Sequence, residues 1–132
     1  MSPDLKYLLL SVLLTAVQVL IAAAAANQVV GLTRLAGNRD GLPEMTGFAG
    51  RAKRAHLNML ENMVLFTALV LVASVGGITN PQVEIGARIF FWARIVYIPI
   101  YMIGIPVART AVWAISVIGM GMIFASIVQA MP

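Results

Sequence analysis

The sequence has 132 residues, of which 61% are hydrophobic and only 11% are charged, and its formal net charge is +4. Soluble domains average about 45–50% apolar and about 25% charged residues, so this composition excludes an ordinary soluble fold and predicts one membrane domain. The chain contains no cysteine and one histidine, which excludes thiolate metal sites and a cysteine nucleophile and disfavours a histidine-cluster metal site. The basic residues flank apolar segments and form no solvated stripe, so we expect no nucleic-acid partner.

Four mostly apolar segments reach the length of about 20 residues that a membrane-crossing helix needs. The predicted helices cover about residues 5–32, 54–75, 81–103 and 107–129. Asn80 and Pro81 supply an N-cap and a first-turn proline for the third helix. Because helices satisfy their own backbone hydrogen bonds in lipid, the predicted fold class is an all-α integral membrane four-helix bundle, one domain over residues 1–132.

The N-terminal segment also has features of a secretory signal peptide, with Lys6 before an apolar run and small residues at Ala22–Ala26. The run exceeds the usual signal core of about 7–15 residues, so we expect an uncleaved helix. A glycine-rich loop over about residues 34–53 follows it. With Arg54 included, this region holds five of the nine basic residues. The positive-inside rule therefore places the loop in the cytoplasm and both termini on the opposite side.

Small residues indicate where neighbouring helices approach closely. The alanine run Ala22–Ala26 predicts such a surface in the first helix, and Gly121 with Ala125 predicts a second one in the fourth helix.

Ionisable residues inside a membrane span are costly and therefore mark candidate sites. Arg54, Asn58 and Glu61 lie at i, i+4 and i+7, on one face of the second helix. A cation, an amide and a carboxylate on one face are suited to a zwitterionic ligand. The alternative is that Arg54 extends to the lipid headgroups while Asn58 and Glu61 only join helices.

The third and fourth helices carry further polar residues. Arg94, Tyr97 and Tyr101 share a face at i, i+3 and i+7, although tyrosines also serve as interfacial or packing residues. Arg94 lies deep in the predicted span and needs a partner, for which Glu61 is a candidate. The pair Arg109–Thr110 opens the fourth helix, either as an anchor at the membrane surface or as a cation and hydroxyl that stabilise an anion.

The segment from Gly50 to Asn62, with the sequence GRAKRAHLNMLEN, and its continuation to Phe66 resemble the MAPEG family of membrane-associated proteins in eicosanoid and glutathione metabolism. The likeness is strongest to the microsomal glutathione transferases. It spans nearly the whole chain and includes the arginine–tyrosine stripe of the third helix and the run from Arg109 to Trp113.

The resemblance implies a homotrimer that binds glutathione between subunits, near the cytoplasmic side. Arg54, Asn58 and Glu61 match the positions of the second helix that hold the tripeptide, and Arg51 matches a nearby basic position. Tyr97 and Tyr101 match the positions of the third helix that line the site. We assign Arg94, on the same face as these tyrosines, to glutathione binding with them. Arg109 matches the arginine that stabilises the glutathione thiolate, and Thr110 stands beside it where the prostaglandin-synthase branch has a hydroxyl. Tyr97 replaces a histidine found in some members.

Two departures from the family pattern bear on function. The family often has an arginine late in the first helix, whereas this chain reads Asn27 to Gly31 there, and Arg34 is the first basic residue. One glutathione contact therefore falls to Arg34 or Asn27, or is lost. Leu57 stands where the prostaglandin synthase has another arginine, which weighs against a dedicated eicosanoid synthase.

The resemblance therefore predicts a glutathione-dependent transferase or peroxidase. The character and compactness of the sequence indicate a bacterial inner membrane, although a protein of the endoplasmic reticulum would have a similar sequence. Glutathione is the co-substrate, no metal takes part, and a hydrophobic electrophile or lipid hydroperoxide arrives from the bilayer. Two alternatives belong to other classes of protein. A non-catalytic MAPEG-like scaffold would regulate a partner, and a small four-helix drug exporter would need a membrane-embedded glutamate in its first helix, where this chain has none.

Overall fold

The computed structural model describes residues 1–132 and contains helices but no strands. The five helices are α1 (Pro3–Val30), α2 (Leu32–Ala36), α3 (Gly47–Val75), α4 (Pro81–Ile103) and α5 (Pro106–Gln129). Three of them, α1, α3 and α5, are long and apolar enough to cross a membrane.

The helix count differs from the predicted four because a short helix follows the first one. Gly31 has φ +81°, which ends α1 at Val30, and α2 adds little more than one further turn. The loop is also shorter than predicted, since α3 begins at Gly47, inside the segment 34–53 that its glycines marked as irregular. Alanine, arginine and lysine between residues 49 and 54 favour a helix and extend α3 through this segment.

The four long helices pack in two pairs, α1 against α3 and α4 against α5, and α4 joins the pairs by contacting both α1 and α3. The rings of Phe66 in α3 and Phe90 in α4 stack with their centroids 3.9 Å apart. Both rings are fully buried, so they anchor the core between the pairs. The core cluster comprises Leu8, Met59, Met63, Phe66, Val70, Ala73, Val83, Ala87, Phe90, Met120, Ile123 and Ile127.

Two glycines allow the backbones of α4 and α5 to approach closely. A Cβ atom on Gly119 would lie 2.6 Å from the carbonyl oxygen of Gly86 and 2.9 Å from the backbone nitrogen of Phe90. The small-residue contact within this chain is therefore Gly86 with Gly119, and not the predicted pair Gly121 and Ala125. Gly121 is exposed and a Cβ there meets nothing within 4 Å, because it lies 200° further around the helix from Gly119.

The turn between α4 and α5 sets the position of the candidate catalytic arginine. Gly104 ends α4 in the left-handed conformation, with φ +89° and ψ +40°, and its N–H donates to the carbonyl of Ile100 at 3.1 Å. Glycine adopts this conformation without the steric cost of a Cβ atom. Because α5 restarts at Pro106, Arg109 lies in its first turn and beside the last turns of α4. At the other end of α4, Asn80 Oδ1 accepts the Val83 N–H at 3.0 Å, the cap expected from the sequence.

Candidate functional site

A cavity of about 390 Å³ lies between α3, α4 and α5. It brings together six of the nine predicted site residues, together with Leu57. Those from α3 face the cavity because their spacing places them on one side of the helix. The lining residues are Arg54, Leu57, Asn58 and Glu61 of α3, Tyr97 and Tyr101 of α4, and Arg109 of α5.

The charged groups lie along the open side of the cavity. Arg54 and Glu61 are both exposed, and a separation of seven residues puts them about 10 Å apart along the helix axis. Asn58 is half-buried and lies between them. A ligand with an anionic end and a cationic end, about 10 Å apart, fits this order of groups.

Two tyrosines form the inner wall and hold Arg109. Tyr97 and Tyr101 are 4% and 8% exposed, and their ring centroids are 5.5 Å apart. The guanidinium carbon of Arg109 lies 4.7 Å from the centroid of the Tyr101 ring, a cation–π contact. This contact fixes a permanent positive charge at the end of the cavity where α5 begins.

Arg94 lies behind the cavity wall and does not line it. Only 1% of its surface is exposed. Its Nη2 donates to Asn58 Oδ1 at 2.7 Å, its Nε faces Met59 Sδ at 3.3 Å, and its guanidinium carbon lies 4.6 Å from the Tyr97 ring centroid. Arg94 therefore contacts Asn58, Met59 and Tyr97 rather than Glu61, its predicted partner, and its predicted role in glutathione binding stays a prediction.

The bond from Arg94 determines which end of the Asn58 amide is available. Asn58 Oδ1 accepts from Arg94, and Asn62 Nδ2 lies 3.5 Å from the same oxygen. With this oxygen occupied, the Nδ2 hydrogens of Asn58 remain as donors. Asn58 therefore offers a donor to a ligand, so its natural partner is a carboxylate or carbonyl oxygen.

Arg51 and Thr110 lie outside the cavity and form contacts within the fold. Arg51 Nε donates to the carbonyl of Met102 at 2.7 Å, which ties the start of α3 to the end of α4. This carbonyl is one of the last in α4 and has no partner within the helix, so Arg51 satisfies it. Thr110 is exposed, and its hydroxyl donates to the carbonyl of Pro106 at 3.1 Å.

Two residues at or behind the cavity wall were not identified as site residues from the sequence. Leu57 lies on the same face of α3 as Arg54 and Glu61, one turn from each, and its apolar character hid it from a search for polar groups. Met59 carries a sulfur that faces Arg94. Its spacing of seven residues from Phe66 marks it only as a core position.

Comparison with known proteins gave one match. A model of the MAPEG family matches residues 6–129, which is most of the chain and includes all of the cavity. No curated protein and no solved structure matched the chain.

Proposed function

Since the chain belongs to the MAPEG family, we propose that it is a glutathione-dependent membrane transferase that also reduces lipid hydroperoxides. Membership of this family indicates a glutathione-related membrane function, and the three apolar helices agree with an integral membrane protein. The observation that carries the finer proposal is the cavity in which Arg54, Asn58, Glu61 and Arg109 meet.

Glutathione has the groups that this cavity is built to receive. Its γ-glutamyl end carries an ammonium and a carboxylate, and its glycyl end carries a second carboxylate. Glu61 pairs with the ammonium, Arg54 pairs with a carboxylate, and the Asn58 Nδ2 group donates to an oxygen of the peptide. The thiol then lies towards Arg109, against the wall formed by Tyr97 and Tyr101.

Arg109 supplies the chemistry by stabilising the thiolate. A free thiol with a pKa of about 8.5 is only a few per cent ionised at neutral pH, and a neighbouring cation lowers that pKa. Arginine stays protonated, so it acts as a cation and donor and never as the base. In transfer, the thiolate forms a sulfur–carbon bond with the electrophile as the leaving group departs with its electron pair.

Hydroperoxide reduction uses the same thiolate. The sulfur attacks the terminal oxygen of the hydroperoxide, the O–O bond breaks, and with one proton the products are an alcohol and glutathione sulfenic acid. A second glutathione converts the sulfenic acid to glutathione disulfide and water. Both reactions draw their hydrophobic substrate from the bilayer, and the substrate enters the site between helices.

We further propose that the protein is a homotrimer in a bacterial inner membrane, with the loop between α2 and α3 in the cytoplasm. The excess of basic residues around this loop supports the orientation. The cavity is open on the side of Arg54, Leu57 and Glu61, all exposed in the single chain. A neighbouring subunit closing this side agrees with glutathione sites between subunits.

Glutathione binding to the purified, detergent-solubilised protein tests this proposal. We expect the wild type to bind in isothermal titration calorimetry and Glu61→Gln to bind about tenfold or more weakly, since it loses a charge-assisted hydrogen bond. Glu84→Gln is the matched control, because Glu84 lies in the first turn of α4, far along the helix from Tyr97 and Tyr101. A wild type that binds no glutathione would favour the non-catalytic scaffold or, less strongly, the exporter.

The role of Arg94 as a positioning residue has its own test. Arg94→Met should weaken glutathione binding about tenfold, because the Asn58 amide then loses the bond that orients it. Asn58→Ala should weaken it by a similar factor, and the double variant should be little worse than either single one. Independent, multiplying losses in the double variant would show that Arg94 acts on the ligand by another route.

A further inference from the structure

A second cavity lies away from the candidate glutathione site. Its volume is about 580 Å³, and it is lined by α1, α2, the loop that follows α2 and the start of α3. The floor is formed by Ala22, Ala23 and Ala26 on one side of α1, whose short side chains leave the space unfilled. The loop folds back over this floor, so the cavity is a pocket between a membrane helix and its own connecting loop.

The charged residues at the mouth of this pocket come from the loop and from the start of α3. They are Arg39, Glu44 and Lys53, and all three are exposed. Arg39 has φ +64°, and its Nε donates to the carbonyl of Leu35 at 2.7 Å, which fixes the guanidinium at the rim. Two cations and one carboxylate give the mouth a net charge of +1 above an apolar floor.

The position along α1 puts this combination at the membrane surface. The floor residues belong to the last three turns of an apolar helix that is long enough to cross the membrane, and the rim belongs to the loop beyond it and to the start of α3. A phospholipid places its apolar acyl chain and its charged headgroup in this same order at the membrane surface. Basic pockets between membrane helices at the loop side are a recurrent kind of site for anionic lipids.

We propose that this pocket binds an anionic phospholipid, with its headgroup phosphate between Arg39 and Lys53 and the upper part of one acyl chain on the alanines. The site is separate from the glutathione cavity, although Lys53 and Arg54 are neighbours in α3. Successive residues in a helix point about 100° apart, so Lys53 faces α1 and the loop while Arg54 faces α4 and α5. The proposal does not depend on glutathione binding.

Native mass spectrometry of the full-length, detergent-solubilised protein tests the headgroup contact. We expect phosphatidylglycerol to bind more tightly than phosphatidylcholine with matched acyl chains. Arg39→Gln and Lys53→Gln should each lower this preference about fivefold, the effect of about one basic residue near a charged lipid. Arg34→Gln is the matched control. Arg34 is a cation of the same region, but it does not line the pocket, so its loss should leave most of the preference for phosphatidylglycerol.

A second pair of variants tests the acyl-chain contact without changing charge. Ala23→Leu combined with Ala26→Leu fills the floor and should lower the affinity for both lipids, whereas Ala24→Leu, on an exposed position outside the pocket, should not. Equal binding of the two lipids, or a preference that survives loss of both Arg39 and Lys53, would overturn the proposal. So would a change of oligomeric state in the floor variant, since that would assign the pocket to a second copy of the chain.

Discussion

Replacing Arg109 with leucine should remove the glutathione thiolate and reduce conjugating activity about 10²–10³-fold, the usual cost of losing one group that stabilises a developing or resident anion. The charge is fixed beside Tyr101 and opposite the polar face of α3 that carries Arg54 and Glu61. Without it, the pKa of bound glutathione returns towards the free value of about 8.5, and the thiolate is a minor species at neutral pH. The ultraviolet absorbance of the thiolate, followed against pH, measures this directly.

The pH dependence separates the proposed role from a loss of binding. In Arg109→Leu the absorbance should reappear as the pH is raised, and the affinity for glutathione should fall far less than the activity does. Arg88→Leu serves as the control, because Arg88 is an exposed arginine of α4 outside the cavity. A normal thiolate signal in Arg109→Leu at neutral pH would show that another group ionises the thiol, and the mechanism would then be wrong.

The polar face of α3 could be predicted from the sequence because it depends only on the spacing of its residues. Arg54, Asn58 and Glu61 differ by four and three residues, and any helix over this segment places them together. The start of α4 at Asn80 and Pro81 could also be predicted, because its N-cap depends only on neighbouring residues in the sequence. Where local signals conflicted, the sequence misled: glycines near residue 50 marked a loop, and the helix ran through them.

The position of the Arg94 side chain could not be predicted from spacing in the same way. Its spacing puts it on a face with Tyr97 and Tyr101, which suggested a direct contact with the ligand. The guanidinium remains against the Tyr97 ring, but its long side chain lets it reach Asn58 and Met59 of α3 behind the cavity wall. The partners of Arg94 depend on which groups of α3 and α4 meet across the core, and this is decided by the packing of the helices rather than by the sequence of either one.

The contact between α4 and α5 gives the largest expected effect on stability. A Cβ atom on Gly119 falls within 3 Å of backbone atoms of Gly86 and Phe90, which cannot move without separating the helices. Gly119→Ala should therefore lower the free energy of unfolding by about 1–3 kcal/mol, the usual cost of overpacking a close-packed interior. A thermal unfolding curve in detergent, followed by circular dichroism, measures the loss.

Gly121→Ala is the control for this prediction, because both substitutions exchange glycine for alanine in the same helix. Alanine has the higher helix propensity, by about 1 kcal/mol, so the substitution alone favours the folded state. At Gly121, where a Cβ meets nothing within 4 Å, that gain should appear as equal or greater stability. At Gly119 the steric clash of the new Cβ atom should outweigh that gain, so the substitution should lower the free energy of unfolding. If the two variants unfold alike, the helices are not held at the distance that the structure gives, and the first turn of α5 with Arg109 loses its fixed position against Tyr101.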